Sequence, residues 1–153
     1  MDFTQHIPGS KYFTWHEACY LHQWQTHHIP DNQEQAFIIE QAKRLDKVRE
    51  FIGHPIIINC WIRPTYANTE DVQYQGQNYN QLCKGAVHSS HITGQATDFE
   101  VSGIDVDDVM RQITPELPTF QLAAENNGSH NGRNWIHLQS HALNGVQWRV
   151  FNP

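Results

Sequence analysis

The sequence predicts an α+β domain in which N-terminal helices pack on a small, mainly antiparallel sheet. Three observations carry that prediction. A chain of 153 residues with 39% hydrophobic content can close one core but not two comfortable ones. Apolar residues recur at helical spacing in its first third, and short β-branched runs bounded by turn-forming residues dominate afterwards. No internal repeat or linker divides the chain, so 1–153 is expected to form a single domain.

Thr14-Trp15-His16-Glu17 has the form of a capping box, in which the Thr hydroxyl accepts from the third helical amide and the Glu reaches back to the cap. It predicts a helix over 14–25. Asp31 can cap a second, and Ala36, Phe37, Ile39, Ala42, Leu45, Val48, Phe51 and Ile52 recur at helical spacing until Gly53, which tolerates a left-handed stop. Pro55-Ile56-Ile57-Ile58-Asn59-Cys60-Trp61 reads as a short buried strand. The stretch 64–85 is rich in Asn, Gln, Tyr and Gly, follows neither period, and predicts a long loop of the kind that is usually functional or disordered. A strand follows over 97–101, then a brief helix over 105–113 with acidic residues at its positive end and Pro115 behind it. Strands over 119–124 and 135–139 are joined by the turn-forming segment 125–134, and a last strand covers 146–151.

A net charge of −6 with only ten Lys and Arg excludes binding through nucleic-acid phosphates, which needs cations to neutralise the backbone. A mean hydropathy of −0.63 and the lack of any apolar run near the ~20 residues a bilayer needs predict no membrane insertion. The first eleven residues hold no apolar stretch, so the chain is expected to be made in the cytoplasm without a signal peptide. Cys19, Cys60 and Cys83 are odd in number and far apart, which fits free thiols rather than a disulfide framework or a Cys-x-x-Cys clamp.

His88-Ser89-Ser90-His91-Ile92-Thr93-Gly94-Gln95-Ala96-Thr97-Asp98 is the most informative stretch. Gly94 between His91 and Asp98 fits a loop that folds back, so that a strand sets the carboxylate beside the imidazole. His137 lies in Trp135-Ile136-His137-Leu138, where alternation turns it away from Ile136 and Leu138. Two His and one Asp supply three ligands for zinc (Zn2+) and leave a fourth position open, the mark of a catalytic site. No metal role is expected for His6, His16, His22, His27, His28, His54, His130 or His141, and His88 reads as a loop residue. Asp105, Asp107 and Asp108 lack the internal Gly and closing Glu of a calcium loop.

These residues carry a resemblance. Ser89-x-His91-x-x-Gly94-x-Ala96-x-Asp98 followed by Trp135-x-His137 resembles the zinc D-alanyl-D-alanine carboxypeptidase and L-alanyl-D-glutamate endopeptidase family, whose fold is shared with the zinc domain of hedgehog proteins. Asn59-Cys60-Trp61-Ile62-Arg63-Pro64 with Asn68 is similar to that family's Ser-Gly-Tyr-Arg-Ser-Pro segment. Phe13-Thr14-Trp15-x-Glu17 is similar to the opening of many phage-borne members. The resemblance implies a catalytic acid. Many members hold one three residues before the last histidine, where this chain has Asn134, which cannot take a proton from water at neutral pH. Phe120-Gln121-Leu122-Ala123-Ala124-Glu125 looks like the strand that ends in an acid in other branches, which makes Glu125 the expected base. Antiparallel pairing of the two late strands would return it toward His137. Glu100, two residues beyond Asp98, is the rival.

The function implied is zinc-dependent hydrolysis of peptidoglycan stem peptides. Glu125 would activate water at the metal and pass its proton to the leaving amine, while Arg63 anchors a substrate carboxylate or steadies the oxyanion. Ser89, outside any Gly-x-Ser-x-Gly elbow, is expected to hydrogen-bond at the site rather than attack. An L-Ala-D-Glu endopeptidase, monomeric and endolysin-like, acting on the wall after phage lysis or from a virion, is the leading expectation. A D-Ala-D-Ala carboxypeptidase and a non-catalytic zinc-binding recognition module are the alternatives.

Overall fold

The computed structural model describes residues 1–65, 77–126, 134–141 and 148–152. Helix α1, Trp15–Cys19, starts at the Thr14–Glu17 capping box but ends after five residues. The expected continuation to 25 is replaced by a two-stranded hairpin, β1 Tyr20–Leu21 and β2 Thr26–His27. Its turn places Gln25 at a left-handed φ of 51°, and the Tyr20 ring stacks on His16 and leans on His27. Those tertiary ring contacts override the local helical preference.

Helix α2, Asn32–Ile52, runs from an Asp31–Glu34 capping box to Gly53, whose φ of 75° supplies the left-handed stop. Its buried stripe is Ile38, Gln41, Ala42, Leu45, Val48 and Ile52. The apolar stripe expected from spacing is therefore rotated: Ile38 faces inward instead of Ile39, Ala36 is exposed, and Phe51 is 49% exposed beside the ring of Phe120. Buried Gln41 bridges to the sheet, donating to Thr97 Oγ1 at 3.2 Å and to the Leu138 carbonyl at 3.0 Å.

Strand β3, Ile56–Cys60, follows directly. Within the stretch expected to be a continuous loop, Asn78 caps a one-turn helix α3, Tyr79–Leu82, and 66–76 lie outside the described residues. Strand β4 is Ala96–Val101, and helix α4, Val106–Ile113, is capped by Asp105. The strand expected over 119–124 is largely absent. A 3-10 turn, Thr114–Glu116, and helix α5, Leu117–Phe120, occupy its start, because prolines at the first turns favour helix entry and Leu117 and Phe120 bury themselves at helical spacing. Gln121, at φ 56°, ends α5, and only β5, Ala123–Glu125, is extended. Strand β6 is Ile136–Gln139. Of the last expected strand the described part is β7, Val150–Phe151, with 142–147 outside the described residues.

The main sheet has the order β3-β4-β6-β5-β7, antiparallel except for the parallel β5–β7 pair. Helices α2, α4 and α5 pack together against one face of it, where Phe99, Ile136 and Leu138 meet Ile38, Leu45, Ile113 and Leu117 in one core.

The loop 88–95 touches α2 at Gly94, whose φ is +77° and whose missing Cβ would stand 2.6 Å from Ile38 Cγ1. Only glycine fits. A side chain in that region and overpacking of the core each cost on the order of 1–3 kcal/mol, so Gly94→Ala should lower the unfolding free energy by about 2–4 kcal/mol. Urea titration reads this as a lower midpoint at unchanged slope. A midpoint equal to wild type would show that Ile38 yields without cost.

Candidate metal centre and cleft

The pairing register sets one transverse row of side chains across the sheet. Cys60 stands opposite Asp98, Asp98 opposite His137, and Glu125 pairs with Phe151 one step beyond the Ala124–Leu138 pair. Cys60, Asp98, His137 and Glu125 thus follow one another across β3, β4, β6 and β5. A bulge at Asn59 shifts the β3–β4 register between Ile58 and Cys60, which brings Cys60 level with Asp98.

His91 comes to this row from the loop and is fully buried. Its carbonyl accepts from the amides of Arg63 at 2.8 Å and Gly94 at 3.2 Å, and the Trp61 indole donates to the Gly94 carbonyl at 2.9 Å. Its Nδ1 lies 2.6 Å from the Trp61 carbonyl oxygen. A carbonyl can only accept, so Nδ1 carries the hydrogen and Nε2 presents a lone pair. His137 Nε2 lies 3.1 Å from Gln139 Oε1. Gln139 donates through its Nε2 to the His141 carbonyl, so its Oε1 is the acceptor and the His137 lone pair belongs to Nδ1.

The two free ring nitrogens and one carboxylate oxygen converge. His137 Nδ1 is 2.8 Å and His91 Nε2 is 3.1 Å from Asp98 Oδ1, and the nitrogens are 3.2 Å apart. Zinc–ligand bonds of about 2.0–2.1 Å at tetrahedral angles place neighbouring donors roughly 3.3 Å apart, so this donor set fits that ion in spacing as well as in chemistry. The ligand atoms of Cys60, His91 and Asp98 also lie within 4.8 Å of one another. The His137 contacts are shorter. Burial pushes the Cys60 thiol up to about 12, so it borders the cluster as a neutral thiol in the free chain.

Burial likewise lowers the His91 imidazole and keeps it neutral despite Asp98. Burial alone would raise Asp98, but its bonds and charge interactions with His91 and His137 outweigh that and hold the carboxyl far below the usual range. His137 moves the other way. Desolvation would lower it, yet the Asp98 hydrogen bond and charge prevail and raise it, so the ring holds a proton more readily than a free imidazole does. A cation held by these three donors would have to displace any proton from His137 Nδ1.

The other expected residues gather around the cluster. Glu125 Oε2 is 4.0 Å from His137 Nδ1, and Arg63 Nη2 is 3.6 Å from Asp98 Oδ2. The buried Nε of Arg63 has no hydrogen-bond partner among the described residues. Ser89 Oγ accepts from the His91 amide at 3.3 Å and shapes the loop. Glu100 is exposed and accepts from Asn59 at 3.0 Å, apart from the cleft. Asn134 is exposed. His28 is spent on a buried 2.8 Å contact with Glu34, while His16 and His27 pair with each other at the same separation. Sequence reasoning missed Cys60 and Gln139 as neighbours of the site. Gln139 had a signal, since a polar residue two positions after His137 shares its face of the strand.

A cleft of about 320 Å³ opens over the row, lined by Arg63, Lys84, Ser89, Asp98, Glu125 and His137. It meets a second chamber of about 270 Å³ at Arg63, Cys83, Asp98 and Trp135, and that chamber continues to His22, Gln23 and Tyr79.

An open cleft past two histidines and an aspartate that can hold zinc is the architecture of a metallohydrolase. The family model described as Peptidase M15 matches residues 11–139, a span that includes Arg63, the loop, Asp98, Glu125 and His137. The chain belongs to the peptidase M15 family and is a zinc metallopeptidase by that membership. Comparison with curated proteins and with solved structures gives no match.

Purified protein should carry about one zinc, and His91→Ala or His137→Ala should lose most of it by elemental analysis. Because a proton must leave His137, whose affinity for it is raised, uptake should weaken as the pH falls. Full occupancy in either variant would exclude that residue as a ligand.

Proposed function

We propose that this metallopeptidase hydrolyses the stem peptides of peptidoglycan at the L-alanyl-D-glutamate bond, with zinc held by His91 Nε2, Asp98 Oδ1 and His137 Nδ1. What supports an internal bond is the run of the cleft: among the described residues it continues on both sides of the Arg63–Asp98 pair, leaving room for substrate beyond the cut in each direction. A carboxypeptidase would need only one side. Zinc, when bound, supplies Lewis-acid polarisation and acidifies water at neutral pH.

The chain's own residues supply the rest. Glu125, a residue at 14% side-chain exposure beside the ligand nitrogen of His137, is placed to accept a proton from water and return it to the leaving amine. Arg63 carries a fixed fork of donors and lines the cleft, which suits a substrate carboxylate. Lys84 adds a second cation on the same wall. Stem peptides bring the carboxylates these groups require. The reading takes the enzyme to act as a monomer on the wall after release, in phage lysis or from a virion.

Glu125→Gln should keep the zinc and the fold yet slow turnover by ~10²-fold or more, the scale for losing a positioned general base. Glu100→Gln should stay near the wild-type rate. The reverse pattern in zinc-loaded proteins would move the role to Glu100.

Digestion of purified peptidoglycan should create new N-terminal D-glutamate, identified by mass spectrometry. Free D-alanine as the only product would replace the endopeptidase with the carboxypeptidase, and no product from varied walls would favour a recognition module.

A further inference from the structure

The ligand loop carries another cleft on its outer side, of about 270 Å³, which shares Ser89 with the catalytic cleft. Its chemistry is different. The lining contains no Lys, Arg, Asp or Glu among the described residues. Val87, 80% exposed, and Ile92 give it apolar surface. Around them stand polar groups with spare hydrogen-bonding capacity. The Ser90 hydroxyl and the His88 and His141 rings have no partner among the described residues, and the Gln95 side chain uses only its oxygen, which accepts from Thr93.

An uncharged ligand with hydroxyls, an amide and an apolar face satisfies such a wall, since polar groups fix orientation while apolar ones take the buried area. We propose that this cleft is a subsite for an N-acetylated sugar ring, the muramoyl unit to which the stem peptide is attached. The inference rests on the peptidoglycan reading and deepens it. The acetamido methyl suits Val87 and Ile92, and the ring hydroxyls and amide suit Ser90 and Gln95. The sugar's own lactyl carboxyl is consumed in the amide bond to L-alanine, so the unit arrives without charge, as the lining requires.

Position agrees with chemistry. Lactyl and alanine together span at most about 7 Å, so an L-Ala-D-Glu bond held at the row keeps its sugar within reach of the neighbouring cleft. A bond at the D-alanine end of the stem would leave the sugar several residues away.

The test compares two substrates, N-acetylmuramoyl-L-alanyl-D-isoglutamine and acetyl-L-alanyl-D-isoglutamine, in wild type and in Val87→Asn and Ser90→Ala. Neither variant alters a residue of the metal centre or its cleft. Wild type should show a KM about tenfold lower for the muramoyl substrate, and the variants should lose that advantage while cleaving the acetyl peptide as wild type does. Equal KM values in wild type, or variants that slow both substrates alike, would overturn the subsite. A binding readout separates this from failure of the function: in zinc-loaded Glu125→Gln, the muramoyl compound should shift the amide resonances of 87–95, and adding Val87→Asn should abolish the shifts. If neither substrate is cleaved, the functional reading falls, while absence of those shifts at millimolar ligand overturns the subsite.

Discussion

The site depends on one register: Asp98 standing opposite His137 across β4 and β6. Strand side chains alternate faces, so a slip of one residue would bury the carboxylate among Ile136 and Leu138 and turn His137 away from it. The core enforces the pairing. Phe99, Ile136 and Leu138 are fully buried on the helix side, and exchanging them for polar neighbours would forfeit on the order of 1.5–3 kcal/mol for each side chain. Gln41 adds a directional lock by reaching from α2 to Thr97 on β4 and to the Leu138 carbonyl on β6. Hydrophobic packing on one face of the sheet thereby specifies the chemistry on the other.

Around that register the protein concentrates donors that repel one another. Two lone pairs and an anionic oxygen within about 3 Å favour a positive charge among them, which is why the proton affinity of His137 is raised beside Asp98. Hydrogen bonds on their far sides hold the two rings in place. Trp61 and Gln139 take up the outward ring hydrogens of His91 and His137, so that neither ring can rotate without leaving a buried partner unsatisfied. This is preorganisation for a cation, written in neutral hydrogen bonds.

How much of this was legible in the sequence varies with the physics involved. Capping boxes are local, and those at Thr14 and Asp31 mark where helices begin. Where α1 ends is not local, because the hairpin after it relies on Tyr20 packing among His16 and His27. Apolar runs were ambiguous in the same way: 119–124 looked extended, but Leu117 and Phe120 are buried as a helical pair. At the site, residue types and spacing pointed to His91, Asp98, His137 and Glu125 as candidates, yet Cys60 enters the row only through the bulge at Asn59, which no spacing announces. Hydrogen-bond partners such as the Trp61 carbonyl belong to the backbone and have no signature at all.

Trp61 belongs to two systems at once. Its ring meets Phe13 edge-on in the core, its indole nitrogen holds the loop at Gly94, and its carbonyl orients His91. With zinc held as proposed, a residue shared in this way would link folding and ligation thermodynamically, so that loosening the packing at Phe13 would also weaken the grip on the cation, and occupancy would feed back as resistance to unfolding. In that arrangement core and centre would not be tuned independently, and a variant selected for heat resistance near Trp61 would change metal affinity along with it.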